Sequence, residues 1–125
     1  MPTQAHRSRL TPQELGCVAE DLAVRHLKKQ GFSIIARNHR YQRSEIDVIA
    51  KKRRLLVFVE VKARSDDQFG NPETFVSIRQ QASVRKAAER YIFAHNWDHA
   101  IRFDIIAVLQ HDDQWQLTHF EDAFY

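Results

Sequence analysis

Apolar positions recur at helical spacing through the first quarter of the chain and then give way to short apolar stretches suited to strands. Leu15, Val18, Ala19, Leu22, Ala23 and His26 form one stripe, which predicts an amphipathic helix. Thr11-Pro12-Gln13-Glu14 supplies its start: a Thr cap, a proline where the missing N–H costs nothing, and a glutamate completing a capping box. Gly31, just after Lys28-Lys29-Gln30, marks its end. The stripe centres near Ala19 and leaves Glu20 on its shoulder, where an acid either looks into a cleft beside the core or is solvated.

Beyond Gly31 the pattern predicts a strand over 32–36, a basic connection through Asn38-His39-Arg40, and a hairpin of strands 45–50 and 55–62 joined by Lys51-Lys52-Arg53-Arg54. Asp66, Asp67, Gly70, Asn71 and Pro72 make 63–77 a loop. A second helix is expected over 78–95, with Ile78, Ala82, Ala88, Tyr91 and Ile92 inward and Arg79, Arg85, Lys86 and Arg90 outward. Strands over 102–109 and 114–118 complete the order α-β-β-β-α-β-β. No repeat or linker interrupts it, so the expectation is a flexible basic lead-in over 1–10 and one domain over 11–125.

Composition narrows the class. A chain of 125 residues, 43% hydrophobic and 28% charged, can bury a real core and is not a disordered polar chain. Its longest apolar runs, 55–59 and 105–109, fall far short of the ~20 residues a membrane span needs, so no membrane partner is expected. The first twenty residues hold no apolar secretory core, and Cys17 has no second cysteine to pair with, which points to the cytoplasm. Three scattered glycines cannot build a phosphate-binding loop or a dinucleotide fingerprint, and no zinc-helix or serine-elbow motif occurs. His95 and His99, at the expected end of the second helix, are read as surface residues.

Charge is unevenly spread. The last sixteen residues hold Asp112, Asp113, Glu121 and Asp122 and no Lys or Arg, so the first 109 residues set all 19 basic groups against 12 acids, a net +7. Arg37, Arg40, Arg43, Lys51, Lys52, Arg53 and Arg54 fall together against only Glu45 and Asp47. Such a cluster suits a polyanion such as nucleic acid, and equally suits an ordinary solvated rim.

Strand alternation points Glu45, Asp47 and Ile49 one way, and gives Leu56, Phe58, Glu60 and Lys62 a common face. If the hairpin loop has an even number of residues, Asp47 lies opposite Phe58 or Glu60 and the two acids and Lys62 share one face; an odd loop separates them. The apolar residues of that face are expected to pack on the first helix. Two carboxylates about 4 Å apart repel by about 4 kcal/mol at an effective dielectric of 20, so they need compensation. Lys62 supplies one charge and a hard divalent cation, Mg²⁺ or Mn²⁺, would supply two. A cation held by Asp47 and Glu60 would polarise a phosphate and activate water beside Lys62, which is phosphodiester hydrolysis. On spacing alone, a structural Asp/Glu/Lys network is the more common outcome.

The segments Glu45-Ile46-Asp47-Val48-Ile49-Ala50 and Val57-Phe58-Val59-Glu60-Val61-Lys62-Ala63-Arg64 resemble the D…(E)-x-K motif of restriction-endonuclease-like nucleases. More closely, the chain resembles the YraN-like family of bacterial proteins, itself similar to archaeal Holliday-junction resolvases. The resemblance extends through Gly16 to Glu20, Leu27, Gly31-Phe32, Arg37 to Arg40, Phe69-Gly70, Ala87-Ala88, Tyr91, Arg102 to Asp104 and Ala123-Phe124. It implies an α/β fold with a restriction-endonuclease-like αβββαβ core and a mixed central sheet flanked by helices. It also implies Asp47 and Glu60 as metal ligands, the Val61 carbonyl and Glu20 as further ligands or water-positioning groups, and Lys62 as the catalytic lysine.

Nucleic acid, DNA above all, is then the expected partner, contacted by Arg37, Arg40, Arg43, Lys51, Lys52, Arg53, Arg54 and Arg64, with Mg²⁺ or Mn²⁺ as cofactor. Resolvase-like proteins often act as homodimers, although no surface in this pattern marks one. Three positions depart from the family's habit: Ala19 and Ser44 where Gly is usual, and Gln80 where Lys is usual. The alternatives are a non-catalytic nucleic-acid-binding module and a protein-interaction domain in which the acids and lysine are structural.

Overall fold

The computed structural model describes residues 10–65 and 76–125, so the expected lead-in, apart from Leu10, and most of the expected 63–77 loop lie outside the described residues. Helix α1, Pro12–Lys29, starts as its cap dictates. The Glu14 N–H donates to Thr11 Oγ1 at 3.1 Å, and the Thr11 N–H donates to Glu14 Oε1 at 2.9 Å. At Gly31 the chain turns with φ +97°, a left-handed conformation that costs glycine little, and enters strand β1, Ser33–Tyr41.

Strands β2, Ser44–Lys52, and β3, Leu55–Ser65, follow; helix α2, Ile78–Ala94, then leads to β4, Ala100–His111, and β5, Gln114–Phe124. The five strands lie in chain order, antiparallel except for β3 and β4, which run parallel. The mixed sheet with a helix on each face bears out the expected αβββαβ-type core.

Strands β1, β3 and β5 run further than their apolar patterns suggest. Asn38 to Arg40, expected as a connection, is part of β1, and the chain reverses only at Gln42-Arg43. Residues 63–65 belong to β3, and β5 continues to Phe124. The cause is main-chain pairing. The three hairpins turn on two residues, with Gln42, Arg53 and Asp112 in left-handed conformations (φ 56°, 56° and 57°), and each tight turn propagates its ladder whatever the polarity of the side chains facing solvent.

The sheet's two faces carry separate cores. Ala19, Ala23 and Leu27 of α1 cover Val48, Ala50, Val57, Val59, Ile106 and Val108. Val84, Ala87 and Ala88 of α2 cover Ile46, Ile49, Leu56, Phe58, Phe103 and Ile105. Leu56 and Phe58 therefore pack on α2, not on the first helix as expected. A parallel pair of strands needs a crossover, and α2 is the crossover from β3 to β4, which commits it to one face and leaves the other to α1. The phase of α2 also differs from expectation: Ile78 is 81% exposed and Ala82 is exposed, because the buried stripe runs through Val84, Ala87 and Ala88. Among the described residues no helix is long and apolar enough to cross a membrane.

Candidate functional site

The site lies where β2 parts from β3. The two-residue Arg53-Arg54 turn makes the register even, so the ladder runs from Lys52–Leu55 to Val48–Val59 and would next set Asp47 opposite Glu60. Main-chain pairing stops there. The Asp47 carboxylate takes its place, its Oδ2 accepting the Val61 N–H at 2.7 Å.

Strict alternation breaks at the same point. Val48 and Ala50 pack under α1 and Ile49 under α2, but Ile46, which alternation would put with Val48, joins Ile49. On the neighbouring strand, Asn38 adopts φ 52°, and the β1–β2 pairing passes from Arg37–Val48 to His39–Ile46 without it. Asn tolerates this left-handed geometry better than most side chains. Asp47 is thus not bound to one face. It lines a cleft of about 340 Å³ on the α2 side, with Glu60, Lys62, Gln80 and Arg43, and a second of about 240 Å³ on the α1 side, with Glu20 and Cys17.

Glu60 is 4% exposed. Its Oε2 accepts a hydrogen bond from Gln80 Nε2 and lies 3.8 Å from Lys62 Nζ, while its Oε1 is buried with no partner. Burial, then the neighbouring Asp47 charge, pushes the Glu60 carboxyl up to about 8 against the pull of Lys62 and Gln80. Burial likewise raises Asp47 to about 6; the Val61 N–H and Lys62 oppose this, while Glu20 adds to it. The two acids therefore carry more negative charge, once both are ionised, than Lys62 alone compensates.

This donor set fits a hard cation. Among the described residues no three His, Cys, Asp or Glu side chains gather into a ready-made cage. Mg²⁺ is commonly held by one or two carboxylates while it keeps several waters, and the free buried Glu60 oxygen is the kind of atom such an ion satisfies. Glu20 stands apart on α1, where Arg37 donates to its Oε1 at 2.9 Å and 3.2 Å and Asn38 at 3.1 Å. Arg37 also reaches Asp21 at 2.7 Å.

The basic residues grouped in the sequence are divided in space. Arg43 lines the α2-side cleft, Arg40 lies 3.9 Å from Glu45, and Arg64 donates to its neighbour's carbonyl at 2.9 Å. Lys51, Lys52, Arg53 and Arg54 are at the other end of the β2–β3 hairpin, away from the carboxylates rather than beside them. Cys17 is exposed, His95 and His99 are exposed, and Trp97 and Phe120 pack against the α2-side core.

The bond from Gln80 to Glu60 had a visible signal: Gln80 precedes Val84 by one turn on the inward face of α2, so a polar residue there must meet something polar. Asp104 is fully buried within β4. It receives Arg102 through two bonds of 2.9 Å, the Asp122 N–H at 2.9 Å and His119 at 2.7 Å, and His119 in turn meets His26 of α1 at 3.0 Å. That network ties α1, β4 and β5 together and lies outside both clefts.

Comparison with known proteins agrees with the sequence resemblance. The chain is 46% identical over 112 residues to a UPF0102 protein of Flavobacterium psychrophilum, covering 90% of this chain and 94% of that protein. It is 40% identical, with the same coverages, to UPF0102 proteins of Christiangramia forsetii and Chlorobium phaeobacteroides. The sequence pattern of uncharacterised protein family UPF0102 matches residues 19–108, a span holding most of α1, all of α2, the Asp47–Glu60 pair and Lys62, and the chain belongs to that family.

Proposed function

We propose that this protein is a metal-dependent nuclease that hydrolyses phosphodiester bonds in DNA, with branched or otherwise structured DNA as its preferred form. The observation that carries this reading is the pair of carboxylates, half-buried Asp47 and buried Glu60, at the β2–β3 fork with one Glu60 oxygen unpartnered and Lys62 beside it. Family membership supports the comparison of folds and supplies no activity by itself.

Asp47, Glu60 and the Val61 carbonyl would hold Mg²⁺ or Mn²⁺, which when bound supplies Lewis acidity toward a phosphate oxygen and lowers the pKa of bound water. The Val61 N–H fixes one Asp47 oxygen, and Gln80 fixes one Glu60 oxygen, so each acid presents its other oxygen in a set direction. Lys62 places a positive charge where negative charge accumulates during attack on a phosphate. Arg43 lines the same cleft and is suited to a flanking phosphate. Glu20, steadied by Arg37 and Asn38, faces Asp47 from the α1 side and is suited to positioning water.

The test is purified protein with Mg²⁺ or Mn²⁺ on a panel of duplex, single-stranded, flap and four-way-junction DNAs. Cleavage of at least one member, abolished by Asp47→Ala and by Lys62→Ala, is the expected result. A panel left intact, or cleavage indifferent to Asp47→Ala, overturns the reading; binding without cleavage leaves a non-catalytic nucleic-acid module.

A further inference from the structure

Arg43 lines the cleft beside the carboxylates, but other basic side chains near them already face acids. Near the site, Arg37 is committed to Glu20 and Asp21, Arg40 faces Glu45, and Lys62 faces Glu60. At the opposite end of the sheet, Lys52 Nζ donates to the Gln30 carbonyl at 2.7 Å, which brings the β2–β3 turn against the end of α1 and its Lys28 and Lys29. Lys51 lies over the Trp97 ring, 5.6 Å from its centroid, and the Ala100 N–H donates to the Arg54 carbonyl at 3.1 Å. Lys28, Lys29, Lys51, Lys52, Arg53 and Arg54 thus collect at one end, all exposed, and among the described residues none of the six is ion-paired with a carboxylate. Asp98, the nearby acid of the α2–β4 connection, faces His99.

Six residue steps separate Asp47 from Arg53, about 20 Å at ~3.3 Å per residue. Six base-pair steps of B-form duplex span about the same distance at ~3.4 Å each. We propose that this end of the sheet is a second DNA-backbone contact, which grips the duplex about half a helical turn from the phosphate presented to Asp47 and Glu60. The proposal rests on the nuclease reading and adds to it a substrate class: DNA with a double-stranded arm at least that long beside the cut. Phosphodiester backbone fits these residues better than a membrane does, because their side chains are spread over a strand turn and a helix end, and the aromatic ring beside them, Trp97, is capped by Lys51 and donates its indole N–H to the Ala100 carbonyl at 3.0 Å.

The variant Arg53→Asn/Arg54→Gln tests this and keeps the fold, since Asn accommodates the left-handed turn position; a second variant, Lys28→Gln/Lys29→Gln, removes charge from α1 alone. Each is titrated with a fluorescent 30-base-pair duplex in EDTA over a series of salt concentrations, then assayed for cleavage, with anionic phosphatidylserine vesicles as a separate arm. The expected result is about tenfold weaker duplex binding for each variant, a log–log salt slope less negative by about 2, near −0.9 for each phosphate no longer neutralised, and unchanged thermal melting. Equal affinity and slope in wild type and both variants overturn the second DNA grip, while cleavage by all three leaves the nuclease reading standing. A reduced slope in a protein that never cleaves upholds the grip and overturns the nuclease reading. Vesicle binding abolished in the variants, with no duplex binding by wild type, makes the patch a membrane surface and overturns the proposal.

Discussion

The main-chain N–H of Val61 donates to the Asp47 carboxylate at 2.7 Å, a side-chain bond standing where the β2–β3 ladder would have continued. That substitution holds the fork open without leaving the Val61 N–H unpaired, and it turns Asp47 toward Glu60. The cost is electrostatic, because a half-buried and a buried acid now share a site with one lysine.

Stability in the absence of metal should therefore fall as pH rises. Asp47 at about 6 and Glu60 at about 8 both sit above their ordinary values, so the folded protein holds protons that the unfolded chain gives up near pH 4. Their contribution is fully present below about pH 4 and is lost as pH climbs through 6 to 8. Glu60→Gln should flatten this slope and stabilise the fold at pH 8 by on the order of a few kcal/mol. A melting profile of the variant that parallels wild type from about pH 5 to 9 would count against the buried-pair assignment.

Divalent metal should reverse the same loss. At about pH 8, Mn²⁺ at about a hundred times its dissociation constant should stabilise wild type by about 2.7 kcal/mol and leave Asp47→Asn/Glu60→Gln unmoved. Thermal melts with and without metal decide this, and a shift of equal size in the double variant would place the ion elsewhere.

Gln80 should matter through Glu60. Gln80→Ala removes the donor to Glu60 Oε2 and should cost about 1–3 kcal/mol at about pH 8, where the acid must carry its charge with one partner fewer. Gln80→Lys adds a cation instead, favours the ionised carboxylate and should make the decline in stability with rising pH shallower than in wild type. The pH dependence of melting for the two variants should diverge from wild type in opposite directions.

The Asp104 network predicts the opposite pH sign. His26 is held below its ordinary value of 6.5, chiefly by burial and then by the facing His119, so the unfolded chain takes up a proton before the folded one. Its contribution is complete above about pH 6.5 and is lost as pH falls below that. Asp104→Ala strands Arg102 and His119 and should destabilise by about 3–5 kcal/mol at neutral pH, whereas His26→Leu should remove only the decline seen in denaturant titrations between about pH 6.5 and 5.

Close approach of α1 depends on small residues. Ala19 and Ala23 are fully buried against β2 and β3, so Ala23→Leu should overpack the interface and cost about 1–3 kcal/mol by chemical denaturation, with Ala82→Leu on the exposed side of α2 nearly neutral.

Local chemistry was enough to read the elements themselves. The Thr11-Pro12-Gln13-Glu14 cap, the stripe through Leu15, Val18, Ala19, Leu22 and Ala23, and the apolar runs at 55–59 and 105–109 follow from main-chain hydrogen bonding and burial over a few neighbours, and short-range rules suffice for them. The even turn at Arg53-Arg54 was left open by its residues, because Lys51 to Arg54 satisfies strand and turn alike until pairing chooses. Which helix covers Phe58 depended on the handed crossover from β3 to β4, a relation between strands that a whole helix separates along the chain. The break in alternation at Asp47, the Gln80 amide on Glu60 and the separation of Lys51–Arg54 from the carboxylates are tertiary in the same sense. Sequence spacing states which side chains alternate along a strand, but only the packed sheet decides where a strand stops pairing and which charges are then left facing each other.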